Sequence, residues 1–288
     1  MTSYFSTQGW IYIFISVIFT LIALTLNVYY AGPGFYIMDY ELLNMFSAGS
    51  SNDANNKHLW VKGASLYINQ MNNLMNKVDN SYLLNAVNIS KYANNNSNKL
   101  GEIFKNNRSD KSTSHDYHHL YAFILNKFSD TKLNILEVGL GTNNATLVSS
   151  MGSNGRPGAS LYSFREYLPK ANIYGVDIDK DILFNENRIK TCFVDQLDLK
   201  SFENINNTFG KIEYDLIIDD GLHSIGANFN TLLFALDNVK LNGWIVIEDI
   251  IIPNNWFAIH FILSKSEKYK CQLIKARGGY LYTINRIL

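Results

Sequence analysis

Short apolar runs alternate with stretches of helical spacing in the C-terminal part of the chain. From residue 133 onward, five apolar runs predict strands, at 133–138, 172–176, 191–194, 214–218 and 244–247. Between them, apolar residues at intervals of three and four predict helices, notably over 160–168 and 225–236. Strands that alternate with helices indicate a parallel sheet with helices on both faces.

Two further apolar runs close the chain. Residues 271–275 and 280–285 flank the turn sequence ARGG at 276–279, which predicts a hairpin. A parallel sheet that ends in an antiparallel hairpin is the arrangement of class I methyltransferases. We therefore predict an α/β, Rossmann-like domain over 108–288 with a mostly parallel, seven-stranded sheet.

The N-terminal segment predicts a membrane anchor. No charged side chain precedes Asp39, and residues 10–30 read WIYIFISVIFTLIALTLNVYY. Roughly 20 helical residues cross a bilayer core of about 30 Å, and aromatic residues bracket this run. A signal peptide would have a basic start and a shorter apolar core, and a buried hairpin or core helix is the third interpretation. We predict a transmembrane helix within residues 1–34.

Residues 35–107 carry no motif that we can assign. Apolar residues recur at roughly helical spacing over 59–75 and 82–92, and NNNSN at 94–98 reads as a polar loop. We interpret 35–107 as a helical stalk or cap between the membrane and the 108–288 domain.

The charge balance argues against a nucleic-acid partner. The chain has 25 Lys and Arg against 25 Asp and Glu, so it lacks the basic excess that a polyanion requires. Cys192 and Cys271 lie far apart in predicted strands and indicate buried thiols rather than a disulfide scaffold or a metal site. The pattern indicates no particular oligomeric state.

A glycine-containing turn follows the first predicted strand of the domain. The run LEVGLG at 136–141 contains Glu137, Gly139 and Gly141, and glycines let the backbone turn sharply and approach a ligand. The next strand ends at Asp177, where a carboxylate can accept both hydrogen bonds from a ribose diol. These residues predict a nucleoside-containing cofactor.

The third strand runs into Asp195 and Gln196, which we expect to meet the adenine of that cofactor. Asn144 stands where a dinucleotide-binding motif would have its third glycine. The missing glycine favours S-adenosylmethionine over a nicotinamide cofactor, because S-adenosylmethionine has no pyrophosphate to bind. S-adenosylmethionine is made in the cytosol, so we expect the domain on the cytoplasmic side of the membrane.

Acids and a histidine cluster at the end of another predicted strand. The run IIDDGLH at 217–223 contains Asp220 and His223, and Asp249 follows the next strand. Strand axes about 4.8 Å apart would bring Asp220 and Asp249 together, where two carboxylates can bind Mg²⁺. His223 is then placed to take a proton from an acceptor hydroxyl. The alternative is that the acids cap the next helix and His223 is exposed.

Several motifs in order resemble one family, the metal-dependent sugar O-methyltransferases of the mycinamicin, macrocin and rhamnosyl-tetracenomycin type. The resemblance runs from about Leu100 to Asp249. It is carried by SDK at 109–111 with His115 and Tyr117, LEVG at 136–139, GASL at 158–161, GVDI at 175–178, Asp195-Gln196, DDGLH at 219–223 and IED at 247–249.

The resemblance implies roles for these residues. It implies that Asp220 and Asp249 bind Mg²⁺, that His223 is the base, and that the glycine turn and Asp177 hold S-adenosylmethionine. We assign Lys111 to the cofactor site as well. The stretch from His115 to His119 could suggest a metal cluster, but adjacent histidines cannot share one helix face, and we interpret it as a lid or entry to the cofactor pocket.

Two departures from the family pattern leave the acceptor open. Leu222 stands where a small polar residue is usual, and Ile250 stands where some members have a second acid. The first hypothesis is an Mg²⁺-assisted O-methyltransferase for a saccharide, with a surface or lipid-linked glycan suited to an anchored enzyme. A phenolic or other small hydroxylated acceptor is the second hypothesis, and a non-catalytic membrane scaffold with this fold is the third.

Overall fold

A computed structural model describes residues 85–126, 131–153 and 155–288 of the chain. The predicted anchor (1–34) and most of the predicted stalk lie outside these residues. In the described part of the chain, no helix is both long and apolar enough to span a membrane.

Strands and helices alternate through most of the described chain. The strands are β1 (Val87–Asn88), β2 (Asn134–Val138), β3 (Asn172–Asp177), β4 (Asn185–Glu186), β5 (Ile189–Phe193), β6 (Tyr214–Asp219), β7 (Val239–Ile250), β8 (Tyr269–Ala276) and β9 (Gly279–Arg286). The α-helices are α1 (Asn95–Asn106), α2 (His118–Leu125), α3 (Ala159–Tyr167), α4 (Glu203–Phe209), α5 (Ile225–Asn238) and α6 (Phe257–Ser264).

All of these strands belong to one mixed sheet, in the order β1-β8-β9-β7-β6-β2-β3-β5-β4. The five central strands β7, β6, β2, β3 and β5 run parallel, and β9 is antiparallel to β7 and to β8. The predicted parallel sheet with a closing hairpin is therefore confirmed. Seven long strands were expected, and they are joined at the two edges by the two-residue strands β1 and β4, which are too short to give a sequence pattern.

The central strands are apolar because the sheet is covered on both faces. Ile135, Ile173 and Ile218 are fully buried in the main core cluster, together with Leu161 and Phe164 of α3. Such strands carry continuous apolar runs rather than alternating ones. Polar side chains therefore collect where these strands end, and there the sheet presents its functional groups.

The segment before residue 108 differs from its prediction. The described part of the predicted helix over 82–92 forms β1 and a short 3₁₀ turn, Ile89–Tyr92, because β1 pairs with β8 at the sheet edge. The expected loop at 94–98 instead begins helix α1: the Asn94 side chain accepts from the Ser97 backbone N–H, and the Ser97 hydroxyl accepts from the Asn94 N–H. This reciprocal cap satisfies the first helical donors.

Helix α1 lies against α2 and α3 and buries Leu100 and Phe104 in the main core. The compact unit accordingly spans Leu84–Leu288, and it starts before the predicted domain boundary at residue 108.

Candidate functional site

The turn after β2 is tightly packed and requires glycine. Gly139 and Gly141 have φ of 92° and 77°, a region that side-chain-bearing residues rarely adopt. A Cβ atom on Gly139 would lie 2.1 Å from the backbone oxygen of Asp220. The turn after β2 therefore packs directly on the loop that follows β6.

Asp177, the last residue of β3, holds this turn in place. Its Oδ2 accepts from the N–H of Leu140 at 2.7 Å, and its Oδ1 accepts from the N–H of Asp179 at 2.8 Å. Burial raises the pKa of the Asp177 carboxyl. A carboxylate has about four acceptor positions, so Asp177 can also accept from a ligand.

A cavity of ≈ 250 Å³ opens beside the turn, at the carboxyl ends of β2, β3, β5 and β6. The predicted cofactor residues that line it are Gly139, Gly141, Asp177, Asp195 and Gln196, and Asp220 forms another part of its wall. Apolar side chains such as Val176 and Leu222 cover much of the remaining wall. A narrow glycine turn, an acid on the next strand and apolar walls are features that fit a nucleoside-containing ligand.

Gln196 reaches the loop after β6 as well as the cavity. Its Nε2 donates to Asp219 Oδ1 at 2.7 Å, and its Oε1 accepts from the N–H of Leu222 at 2.8 Å. Asp219 is fully buried, and burial raises the pKa of its carboxyl. Gln196 therefore fixes the backbone between Asp219 and Leu222. These two hydrogen bonds were not predicted from the sequence.

Asp220, His223 and Asp249 come together at the ends of β6 and β7. Each offers a ligand atom, and these atoms lie within 4.8 Å of one another. His223 Nε2 is 3.8 Å from Asp249 Oδ2. The predicted juxtaposition is present, and a set of two carboxylates and an imidazole fits a divalent cation. Asp220 also lines the cavity, so the two regions share a wall.

Lys111 lies inside an acid cluster, which we define as Asp220, Glu248, Glu137 and Asp249. Its ammonium is 2.6 Å from Asp220 Oδ2, 2.6 Å from Glu248 Oε2 and 3.2 Å from Glu137 Oε1. Burial alone would lower the pKa of Lys111, but these three carboxylates raise it well above its usual value. Burial, and then the nearby Asp220 charge, raise the pKa of Glu248 well above its usual value.

Lys111 and Glu137 were predicted to contact the cofactor, and neither is among the residues that line the cavity. Both are buried in the acid cluster, where the Lys111 ammonium contacts the carboxylates and the Ser160 hydroxyl donates to Glu137. Their contact with a cofactor stays a prediction.

Tyr121 was not recognised from the sequence, and Tyr117 was noted there only as part of the family motif and of the stretch at 115–119. Tyr117 donates to Asp249 and Tyr121 donates to Glu248, so each hydroxyl orients one acid of the cluster. The two tyrosines are four residues apart, which places them on one face of a helix. That spacing was a usable signal in the sequence.

A β-bulge allows Glu248 and Asp249 to serve the same cluster. The β7–β9 register shifts between Ile247 and Ile250, and Asp249 has φ of 54°. Neighbouring residues of a regular strand would point to opposite faces. His223 also has a positive φ, 56°, and such conformations collect at functional sites.

His115 lies at the acid cluster. Its ring stacks on Tyr117, its Nδ1 is 3.0 Å from the Arg277 carbonyl oxygen, and its Nε2 is 3.8 Å from Asp249 Oδ1. His119 faces Ser97 of helix α1 instead. These two histidines of the stretch at 115–119 therefore lie in different places: His115 is beside Asp249, and His119 contacts helix α1.

The chain is similar to known methyltransferases in part of its sequence and in its fold. No family model matches the chain. The 8-demethyl-8-alpha-L-rhamnosyl tetracenomycin-C 2'-O-methyltransferase of Streptomyces olivaceus is 30% identical over 143 residues, which are 49% of this chain and 35% of that protein. Mycinamicin VI 2''-O-methyltransferase of Micromonospora griseorubida is 37% identical over 94 residues, 32% of this chain and 23% of that protein. The chain thus matches about a third or less of the length of these curated relatives.

A solved structure shares the fold. The MycE methyltransferase of the mycinamycin biosynthetic pathway, in complex with Mg and SAH, matches with a TM-score of 0.53 and 21% identity, over 65% of this chain and 54% of that one. The described part of the chain has the Rossmann-like fold of class I methyltransferases, and about half of the chain is similar in sequence to sugar O-methyltransferases.

Proposed function

We propose that the protein is an S-adenosylmethionine-dependent, Mg²⁺-assisted O-methyltransferase that acts on a saccharide hydroxyl. The observation that carries this proposal is the shared wall: Asp220 lines the cavity and also belongs to the group with His223 and Asp249. A methyl donor and an activated hydroxyl have to meet, and two sites that share Asp220 would lie side by side. The similarity to sugar O-methyltransferases supports a saccharide.

The residues assigned to each group follow from their positions. Gly139, Gly141 and Asp177 would hold S-adenosylmethionine, and Asp220 and Asp249 would hold the cation. When bound, S-adenosylmethionine supplies an electrophilic methyl group, and a divalent cation lowers the pKa of an acceptor hydroxyl.

His223 is the proposed general base. It receives the proton that the acceptor hydroxyl loses while the acceptor oxygen forms a bond to the methyl carbon. The carbon–sulfur bond breaks, its electron pair stays on sulfur, and the products are a methyl ether and S-adenosylhomocysteine. Asp249, 3.8 Å from His223 Nε2, stabilises the imidazolium that results.

An acceptor screen with labelled S-adenosylmethionine tests the proposal. We expect label in a glycoside or oligosaccharide, and loss of that label in EDTA. Label in phenols alone would support the second acceptor class. A chain that shows no binding of S-adenosylmethionine by calorimetry would contradict the enzymatic proposal and favour the scaffold.

Asp220→Asn is the sharpest substitution for the cation. We expect turnover and its metal dependence to be lost, while S-adenosylmethionine affinity stays within a few-fold. Asp237→Asn, an exposed acid of helix α5, is the matched control and should retain turnover. Unchanged turnover in Asp220→Asn would remove the metal from the proposal.

We further propose that residues 1–34 anchor the protein in a membrane, with the methyltransferase unit on the cytoplasmic side. The support is the uncharged apolar run at 10–30. After extraction with alkaline carbonate, the full chain should stay with the membranes, and a chain that starts at residue 35 should be released. Protease protection in sealed vesicles reports the orientation. Release of the full chain would contradict the anchor.

A further inference from the structure

Lys111 is buried in the acid cluster that adjoins the proposed cation site. Its side chain is 2% exposed, while those of Glu137 and Glu248 are 0% and 1% exposed. Asp220, its third partner, has a side chain that is 24% exposed. The cluster has four carboxylates, and Lys111 is the lysine that the structure places among them.

Unpaired carboxylates in a low-dielectric interior repel one another, and burying them without counter-charge is costly. One ammonium faces four carboxyl groups, three of which contact it directly. Two tyrosine hydroxyls reduce this cost by donating to Asp249 and Glu248, but they carry no positive charge. Lys111 therefore supplies an ammonium in direct contact with three of these acids, and its charge reduces the cost of burying them.

The loop that carries Lys111 is fixed independently of the acids. The Asp110 carbonyl accepts from the N–H groups of Thr113, Ser114 and His115, and the Lys111 carbonyl accepts from that of His118. The Ser112 hydroxyl donates to the Gly101 carbonyl of helix α1. The turn therefore positions the Lys111 ammonium without a bound cation.

The ammonium and the proposed cation share a carboxylate. Asp220 Oδ2 contacts Lys111 at 2.6 Å, and Asp220 is also part of the group with His223 and Asp249. Two positive charges near one carboxylate repel each other. The Lys111 ammonium neutralises part of the negative charge of Asp220, and that part no longer attracts the divalent cation.

We propose that Lys111 is a resident counter-cation: it holds the acid cluster together in the metal-free protein and weakens the binding of the divalent cation at Asp220 and Asp249. It is a positioning residue, and the inference rests on the proposed cation site. Its removal should have opposite effects on the two states, destabilising the metal-free protein and tightening metal binding.

Lys111→Met tests this, because methionine keeps the length of the side chain and removes the charge. Mn²⁺ serves as the probe, and free Mn²⁺ is followed by electron paramagnetic resonance. We expect Mn²⁺ to bind about 10-fold more tightly or better. The variant should melt at a lower temperature in EDTA, and Mn²⁺ should raise its melting temperature more than that of the wild type. Lys105→Met, an exposed residue of helix α1, is the matched control and should behave as the wild type.

Glu137→Gln is the second variant and keeps Lys111 in place. It removes one of the carboxylates that share the ammonium, so Lys111 neutralises Asp220 and Glu248 more fully. Mn²⁺ should then bind about 3-fold to 10-fold more weakly. A folded Lys111→Met that binds Mn²⁺ with equal or lower affinity overturns the inference. If Lys111→Met does not fold, equal or tighter Mn²⁺ binding by Glu137→Gln overturns it.

The same titrations separate this inference from the proposed function. A wild-type chain that binds no Mn²⁺ at millimolar concentration would contradict the cation site itself. A wild type that binds Mn²⁺ but transfers no methyl group to any acceptor would contradict the proposed function and leave the role of Lys111 standing.

Discussion

At the scale of single residues, the adjacent acids Glu248 and Asp249 have different partners in the site. Glu248 faces Lys111 and Tyr121, whereas Asp249 faces Tyr117 and His223. The sequence pointed to Asp249 but not to Glu248, because a strand pattern predicts that neighbours point to opposite faces. A bulge cannot be predicted from that pattern, so only the structure shows that Glu248 also belongs to the cluster.

His223→Asn tests the general base without disturbing the backbone. Asparagine tolerates the positive φ that His223 adopts, whereas alanine would add strain. We expect turnover to fall about 10²-fold to 10⁴-fold, since the amide cannot accept the proton. S-adenosylmethionine affinity, measured by calorimetry, should be unchanged. A variant with wild-type turnover and an unaltered pH–rate profile would exclude the role.

Turns rather than strands determine the site at the scale of elements. The strand cores are predictable, since each buried strand is an apolar run. Apart from β7, the observed bounds of the long strands differ from the predicted ones by at most two residues. Strand β7 starts at Val239 instead of 244. The prediction missed its first part because Leu241 and Asn242 are exposed and no apolar run spans 239–243. The exact packing of the turn after β2 on the loop after β6 could not be predicted, because it joins residues about 80 positions apart.

Gly139→Ala and Gly152→Ala form a matched pair that isolates this packing. Both glycines have positive φ, so both substitutions add similar backbone strain. A Cβ on Gly152 meets nothing within 4 Å, whereas one on Gly139 meets the Asp220 backbone. We expect Gly139→Ala to lose about 1–3 kcal/mol more free energy of unfolding, from overpacking, and to lose S-adenosylmethionine binding. Equal losses in denaturant unfolding would contradict the contact.

At the scale of the whole molecule, the methyltransferase fold was predictable and its N-terminal extension was not. Helix α1 was missed because Asn and Ser dominate its start, and these residues favour loops unless they cap a helix. The pairing of β1 with β8 joins residues far apart in the chain, and two residues give no periodicity. The unit therefore includes a layer that the sequence assigned to the stalk.

Histidines in separate elements give the molecule a common response to pH. Burial lowers the pKa of His118 and His119 in α2 and of His260 in α6. Protonation then favours the unfolded chain, so this stability is fully present above about pH 6.5 and is lost as the pH falls below it. His260→Gln should lose less free energy of unfolding than the wild type between about pH 7.5 and 5.5. An equal loss in urea titrations would contradict this.

The position of Asp220 between the cavity and the proposed cation site has a consequence for ligand binding. Asp220 lines the cavity and also belongs to the group with His223 and Asp249. A ligand in the proposed cofactor site that moves the Asp220 side chain would therefore also change the proposed cation site. Thermodynamic linkage then requires reciprocity: the factor by which the ion changes the affinity for the nucleoside must equal the factor by which the nucleoside changes the affinity for the ion. At the two proposed sites, binding of the cation and of the nucleoside should therefore be coupled even without an acceptor.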